Sequence, residues 1–232
     1  MAEKKVPGKT SRSSANNGRR SNLRERQREL TREALLSGAE GAFAAAGYND
    51  VTIDDIAMRA GTSRGTFYLY FTKGQILAEL IERAFTKSIG GSSATALLPD
   101  FRSAEPYDVE SIHRFLQSYV KAWQTNKSLV RAWMEGDAID PEVQAITKKR
   151  ISRATELLTK VILDHQTKSG ARADMDAVRA RAFLLDLQLQ HFCWYVVVRE
   201  IDICPEAGIH ALAEQWHAVI HGLPADKRAR TR

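Results

Sequence analysis

Apolar side chains recur at helical spacing along nearly the whole chain, and this period constrains the fold more than any other feature. Between Arg24 and Gly47, for example, apolar residues stand three or four positions apart, and the glycine then ends the run as a C-terminal cap would. No segment alternates convincingly in the manner of a strand. We therefore predict an all-α protein with about nine helices.

Capping signals mark the starts of several helices. Thr52 precedes two aspartates, and Pro141 stands between an aspartate and a glutamate at the start of a long periodic segment. Asp174 or Asp176 begins the next segment, and Pro205 begins the last. These signals predict where the helices of the C-terminal part begin.

The composition fits a folded body with a polar N-terminal segment. Of the 232 residues, 44% are hydrophobic and 27% are charged, which is ordinary for a globular protein and too apolar for a disordered one. Residues 1–22 are rich in Ser, Asn, Gly, Lys and Arg with almost no large apolar side chain, so we expect a disordered basic arm there. Gly90–Pro106 carries Gly-Gly-Ser-Ser and two prolines, which predicts a linker or flexible loop.

The positive charge is concentrated near the N-terminus. Residues 1–32 hold ten Lys or Arg and three Asp or Glu, a net charge of +7, whereas the whole chain has +6. The other 200 residues therefore sum to about −1. A basic arm on a nearly neutral body suits a polyanionic partner, although a solvated tail that only keeps the protein soluble has the same composition.

Cysteine content and hydropathy favour the cytoplasm. The only two cysteines, Cys193 and Cys204, lie in apolar surroundings, which fits a reducing compartment better than a disulfide framework. The most apolar run, Phe183 to Val198, contains Asp186 and is too short and too polar to span a bilayer. The basic N-terminal segment lacks the apolar stretch of a signal peptide. We expect a cytoplasmic protein that does not associate with membranes.

Residues 52–72 have the pattern of two short helices around a tight turn. Thr52 and Ser63 are good N-caps for the two helices, and the second helix ends near residue 70. Phe67 has the type needed where the helices cross, and small Ala57 and Gly61 permit close approach. This spacing fits a helix-turn-helix, whose second helix enters the major groove of DNA.

The stretch from Phe43 to Leu77 closely resembles the signature of the TetR family of bacterial transcriptional regulators. Its central part, from Val51 to Phe71, is Val-Thr-Ile-Asp-Asp-Ile-Ala-Met-Arg-Ala-Gly-Thr-Ser-Arg-Gly-Thr-Phe-Tyr-Leu-Tyr-Phe. The resemblance is strong from Arg32 to about Leu80, and elsewhere it extends only to length, helix count and apolar pattern. It implies a dimeric repressor that binds a palindromic double-stranded DNA operator and is released by a small effector.

The resemblance also implies a division of the chain. After the arm, residues 23–73 form an N-terminal three-helix helix-turn-helix DNA-binding domain. Residues 74–223 form a larger C-terminal helical domain that binds the effector and dimerises, and residues 224–232 form a basic tail.

Nine residues are expected at the DNA. Arg64, Gly65 and Thr66 open the second helix of the motif and lie nearest the base edges, where Arg64 could pair with O6 and N7 of guanine. By resemblance, six further residues hold phosphates through hydroxyls, helix N-termini and one ammonium group: Thr52, Thr62, Ser63, Tyr68, Tyr70 and Lys73. Tyr70 departs from the family, in which many members have histidine there, but a phenol still donates to phosphate.

The C-terminal domain is rich in large rings. The resemblance implies a ligand cavity among its middle helices, and aromatic side chains with a few polar groups fit a small-molecule site. The candidates are Phe115, Tyr119, Trp123, Trp133, Met134, Phe183, Leu187, Gln190, His191 and Trp194. Taken singly, each is better explained by core packing, but as a group they predict a site for a small apolar or amphipathic effector, with no cofactor.

Two segments offer apolar faces to a second subunit. The helix from Asp176 to Arg199 is apolar almost all round at its centre, so it needs cover on two sides. The last helix has a second stripe, formed by Ile209, Leu212, Ala213, Trp216 and Ile220. The resemblance implies that the last two helices build a homodimer interface, which would be a four-helix bundle.

Three alternatives share parts of this pattern. An activator would use the same contacts as a repressor. His210, Glu214, His217 and His221 follow one helical face and could hold a transition metal, although a partly exposed histidine-rich face explains them as well. The third alternative is a helical enzyme that binds a metal or a lipid. The sequence has no Gly-rich phosphate loop, nucleophile elbow, HExxH string or paired catalytic acids. We therefore expect neither an enzyme nor a bound metal.

Overall fold

The computed structural model describes residues 11–89, 101–168 and 174–222. These ranges contain helices and connecting turns but no strand, which confirms the predicted all-α fold. The nine α-helices of these ranges are α1 (Ser11–Asp50), α2 (Ile53–Arg59), α3 (Arg64–Tyr68), α4 (Lys73–Ile89), α5 (Val109–Thr125), α6 (Lys127–Ile139), α7 (Pro141–Lys168), α8 (Met175–Cys193) and α9 (Pro205–His221). A short 3₁₀ turn, Phe101–Ala104, precedes α5, and a π-helical turn, Trp194–Val198, continues α8.

The first helix is longer than the sequence pattern indicates. It begins at Ser11, so residues 11–22 of the expected disordered arm are helical here, because extending an existing helix avoids the cost of nucleating a new one. Residues 1–10 of that arm, part of the expected loop (residues 90–100) and the basic tail lie outside the described residues. At the other end, Gly47 has a φ of +75°, which breaks the helical geometry where the sequence predicts an end.

The helix-turn-helix module has a core built from α1, α2 and α3. Leu35 and Phe43 from α1, Ile56 from α2 and Phe67 from α3 are fully buried. Charged pairs connect this module to α4: Arg83 forms two hydrogen bonds of 2.7 and 2.8 Å with the Glu33 carboxylate. The module is therefore held against the first long helix of the C-terminal domain.

The apolar stripe of α9 is used inside the subunit, which corrects one expectation. Its residues are buried against the rest of the same chain, because α9 packs mainly on α5 and α7. Trp216 meets the rings of Phe101 and Phe115, with centroids 5.2 and 6.2 Å away. The stripe predicted for a dimer interface is thus part of the subunit's own core.

The apolar face of α8 stays partly exposed, whereas the stripe of α9 is buried. Phe183 and Leu184 remain 39% and 52% exposed, and Tyr195 in the π-helical turn is also exposed. The described residues of a single subunit therefore leave this part of the predicted apolar helix exposed. None of the helices in the described ranges combines the length and hydropathy needed to cross a bilayer.

Candidate functional site

Thr52 and Asp55 form a reciprocal cap at the N-terminus of α2, the first helix of the motif. The Asp55 backbone N–H donates to Thr52 Oγ1 at 3.2 Å, and the Thr52 backbone N–H donates to the Asp55 carboxylate at 2.8 Å. These hydrogen bonds from Thr52 hold the pKa of Asp55 below its usual value. This reciprocal cap fixes the start of α2, and with it the path of the chain into the turn.

The second helix presents Arg64 at its first turn. Ser63 caps this helix, since the Thr66 backbone N–H donates to Ser63 Oγ at 3.1 Å. The exposed Arg64 guanidinium reaches back to α2, where it forms a 2.9 Å ion pair with Asp54. It also lies 5.7 Å from the centre of the Tyr68 ring. Asp54 thus orients the side chain expected to read bases, a pairing that sequence reasoning missed.

The nine residues expected at DNA lie in the motif or directly after it, with different exposure. Five are exposed: Thr52, Ser63, Arg64, Gly65 and Tyr68. The other four, Thr62, Thr66, Tyr70 and Lys73, are half-buried. Leu69, which the sequence analysis did not single out, is 82% exposed between two of them.

The Lys73 ammonium group already contacts Tyr48, so it is less available to a phosphate than the sequence predicts. Its ammonium group donates to the main-chain oxygen of Tyr48 at 2.6 Å and lies 4.2 Å from the centre of the Tyr48 ring. Burial lowers the pKa of Lys73, against the attraction of Asp140 and Asp50. An ammonium group has three donors, so two are left for another acceptor.

Tyr48 joins the helix-turn-helix module to the C-terminal domain. Its backbone N–H donates to the Glu135 carboxylate at 2.7 Å, and its hydroxyl donates to Asp140 at 2.6 Å. Its ring lies against α6 at Gly136, where a Cβ atom would come within 3.2 Å of the ring carbons. The glycine therefore permits the close approach of α1 and α6.

A second junction lies at the start of α4. The Thr72 hydroxyl donates to the Glu142 carboxylate, and the Gln75 side-chain amide donates to the other oxygen of the same carboxylate at 3.1 Å. Asp140 accepts from the Glu142 backbone N–H at 2.8 Å and so caps α7. Both junctions therefore meet at the α6–α7 corner.

A cavity of about 300 Å³ lies in the C-terminal domain, and five helices each contribute one face to it. Eight of the ten predicted ligand-site residues line it: Tyr119, Trp123, Trp133, Met134, Phe183, Leu187, Gln190 and His191. Phe115 and Trp194 do not line it. Phe115 packs instead with Phe101 and Trp216, because it lies one helical turn before Tyr119 on α5 and faces α9.

A buried ion pair forms part of the cavity wall. The Arg150 and Asp186 side chains are only 10% and 4% exposed, and their nitrogen and oxygen atoms are 3.4 Å apart. Gln190 Nε2 donates to the Tyr119 hydroxyl at 2.8 Å, and burial raises the pKa of Tyr119 so that its hydroxyl stays protonated. Asp186 interrupts the apolar centre of α8, and with the polar Gln190 it was a sequence signal for this network.

Two buried polar atoms at the cavity have no partner of normal hydrogen-bond length and angle within the described part of the chain. They are Trp123 Nε1 and Thr147 Oγ1, both on lining residues. A larger open groove of about 700 Å³ lies between α1, α4 and α5, but it contains none of the predicted residues and includes the charged Arg83–Glu33 pair. The smaller aromatic cavity has the character of a small-molecule site.

The four residues of the possible metal cluster separate into two pairs. His210 and Glu214 are 3.5 Å apart at the surface, while the rings of His217 and His221 are 4.4 Å apart. His221 also bonds the Tyr107 main-chain oxygen at 3.0 Å. Within the described part of the chain, no three His, Cys, Asp or Glu side chains are arranged to hold a metal ion.

The fold and the geometry of α2 and α3 define a helix-turn-helix DNA-binding protein. The family model for bacterial regulatory proteins of the tetR family matches residues 35–80, which include both helices and their turn. Residues 35–80 therefore carry a helix-turn-helix of the tetR type, and the chain is similar to TetR-family transcriptional regulators.

Similar proteins extend the likeness beyond the motif. The HTH-type transcriptional regulator EthR of Mycolicibacterium smegmatis is 26% identical over 196 residues, which cover 82% of this chain and 85% of that protein. The uncharacterized HTH-type transcriptional regulator YhgD of Bacillus subtilis is 22% identical over 158 residues, covering 68% of this chain and 80% of that protein.

Solved structures show the same fold. A proposed TetR-family transcriptional regulator from Syntrophomonas wolfei has a TM-score of 0.64 at 19% identity, covering 85% of this chain and 98% of that one. The fatty acid degradation regulator FadR from Bacillus halodurans has a TM-score of 0.57 at 18% identity, covering 83% and 96%. The helical arrangement is therefore shared along most of both chains.

Proposed function

We propose that this regulator is a ligand-responsive repressor that acts in the cytoplasm as a homodimer on a palindromic operator. The observation that carries the proposal is the continuity of α6. This helix lines the cavity with Trp133 and Met134, and it holds Tyr48 of the helix-turn-helix module through the neighbouring Glu135. A ligand that shifts α6 would therefore act directly on the DNA-binding module. The proposed activity is binding alone, with no catalytic step.

At the DNA, the first turn of α3 would enter the major groove. Arg64 would leave or share Asp54 to reach a guanine edge, while the exposed hydroxyls of Thr52, Ser63 and Tyr68 would meet phosphates. Thr62, Tyr70 and Lys73 would support the backbone contacts from half-buried positions, and Thr66 would lie beside Arg64 at the base edges. The basic N-terminal segment would add affinity that does not depend on sequence.

The uncovered face of α8 supports a homodimer. Exposed Phe183, Leu184 and Tyr195 would be removed from water by the same face of a second copy, as a two-fold interface requires. Two recognition helices would then be set for successive major grooves, about 34–36 Å apart.

Release from DNA would follow from a coupling between the cavity and the spacing of the recognition helices. Two helices, α4 and α6, reach from the module to the cavity: α4 begins at Lys73 beside Tyr48 and lines the cavity with Ile81 and Phe85. A ligand shifts such an equilibrium only by its differential affinity for the two states, so ligand and operator must weaken each other reciprocally.

Operator selection followed by a competition experiment tests the proposal. DNA selected from a random pool by the full chain should contain a palindrome, and placing it in a promoter should lower transcription when the protein is added. A cavity ligand should then reduce operator affinity. Trp133→Ala should weaken that ligand effect and leave ligand-free operator binding nearly unchanged. Equal ligand affinity with and without saturating operator would contradict the coupling, and increased transcription would identify an activator.

A further inference from the structure

The charge of the cavity narrows the class of ligand. Resting on the proposed function, we propose that the effector is an amphipathic organic cation whose charged group pairs with Asp137 and whose apolar part lies among the aromatic side chains. Asp137 was not singled out by its sequence pattern, and it lines the cavity from α6.

Asp137 stands on the cavity face of its helix. It follows Trp133 by four positions and Met134 by three, and residues at these spacings share one face of an α-helix. Its side chain is half-buried, and no hydrogen bond or ion pair connects it to the described part of the chain. A carboxylate in this position is partly desolvated without a counter-charge, which favours binding of a cation.

The other charges of the cavity cancel. Arg150 and Asp186 form a buried ion pair with each other, so the lining keeps one net negative charge, on Asp137, when histidine is neutral. An anionic ligand would have to take Arg150 from Asp186, and breaking one side of a buried pair leaves an uncompensated charge. It would also lie close to two carboxylates.

The walls of the cavity favour the same class of ligand. Trp123, Trp133 and Phe85 are among the aromatic residues that line it, and the faces of such rings attract cations. Asp137 is half-buried, whereas Phe85 and Trp123 are buried. The charged group of the ligand would therefore lie nearer to solvent, and its apolar part would lie deeper. This arrangement matches an amphipathic molecule with one charged end.

Three probes of matched chain length test the charge preference on the full-length protein. They are decyltrimethylammonium, 1-decanol and decanoate, each kept below its aggregation threshold and titrated by calorimetry. We expect the cation to bind roughly tenfold more tightly than either of the others, because it alone can pair with the partly desolvated Asp137 carboxylate. Asp137→Asn should remove most of this preference and leave 1-decanol affinity unchanged. The matched control is Asp164→Asn, which removes an exposed carboxylate from α7, outside the cavity lining. This variant should keep the preference for the cation.

The outcomes separate this inference from the proposed function. If decanoate or 1-decanol binds as tightly as the cation, the cation assignment is overturned, while a ligand-responsive regulator with another effector class stands. If the cation preference persists in Asp137→Asn, the assignment to this carboxylate is overturned. If none of the three probes binds the folded wild-type protein, both the cation assignment and the ligand-binding role of this cavity fail.

Discussion

The Tyr48 hydroxyl donates a 2.6 Å hydrogen bond to Asp140, a residue 92 positions later in the chain. This bond connects the end of α1 to the residue that caps α7. Burial alone would raise the pKa of Asp140, but hydrogen bonds from Tyr48, Glu142 and Val143 and the charge of Lys73 together lower it. The carboxylate therefore holds the DNA-binding module and the C-terminal domain in one arrangement.

Tyr48→Phe should lower the free energy of unfolding by about 1–3 kcal/mol, because it removes a hydrogen bond to a charged acceptor in a partly buried position. Urea denaturation followed by circular dichroism measures the change. Tyr68→Phe alters an exposed phenol and should stay within about 0.5 kcal/mol of the wild type. Equal effects of the two substitutions would show that the bond to Asp140 adds nothing to stability.

Gly136→Ala should destabilise the protein by about 1–3 kcal/mol, because the added Cβ would press on the Tyr48 ring at 3.2 Å and overpack the contact. Gly41→Ala is the matched control on α1, where a Cβ would meet only the end of Arg59 at 3.7 Å. That change should stabilise the helix by about 0.5–1 kcal/mol. A neutral or stabilising Gly136→Ala would mean that α1 and α6 separate easily.

Arg64→Ala should weaken binding to the selected operator by roughly 1–3 kcal/mol and change affinity for unrelated DNA much less, since the guanidinium is assigned to base edges. Fluorescence anisotropy with both DNAs at fixed salt measures the two affinities. Arg114→Ala removes the same charge from an exposed position on α5 and should affect neither. Parallel losses on both DNAs would place Arg64 on phosphate instead.

Asp54→Asn should raise affinity for unrelated DNA and reduce discrimination between operator and other sequences. The substitution frees Arg64 from its 2.9 Å ion pair and removes a negative charge from the DNA-facing module. A freed guanidinium that reaches a phosphate should make the slope of log affinity against log salt steeper by about one unit. Unchanged slope and discrimination would show that Asp54 does not control Arg64.

His217→Asn should make stability less sensitive to acid. Burial and the nearby charge of His221 lower the pKa of His217, against the attraction of Asp108. The unfolded chain then binds more protons than the folded one below the ordinary histidine pKa of about 6.5, so wild-type stability falls as the pH drops from about 7 to 5. Urea denaturation across this range should give a smaller decline in the variant. His210→Asn changes an exposed position of the same helix, so its stability should fall with pH as in the wild type. If stability fell equally in all three proteins, His217 would not be the source of the acid sensitivity.

The sequence by itself determined the helix-turn-helix motif and most helix starts. These features depend on neighbouring residues: Thr52 and Ser63 cap backbone groups within three positions, and Pro141 and Pro205 open α7 and α9 where predicted. Eight of the ten side chains proposed for a ligand line one cavity, because residues on one helical face turn toward the same neighbour, and their role in ligand binding stays a prediction.

The tertiary structure decided what each apolar or charged face meets. Periodicity shows that α9 has an apolar stripe, but only packing shows that α5 and α7 cover it while α8 keeps an exposed face. Three aspartates of similar local sequence have different roles. Asp54 pairs with Arg64, Asp137 lines a cavity, and Asp140 accepts a hydrogen bond from Tyr48. A cavity and a long-range hydrogen bond arise from the relative positions of helices far apart in the chain, and local residue patterns carry no record of those positions.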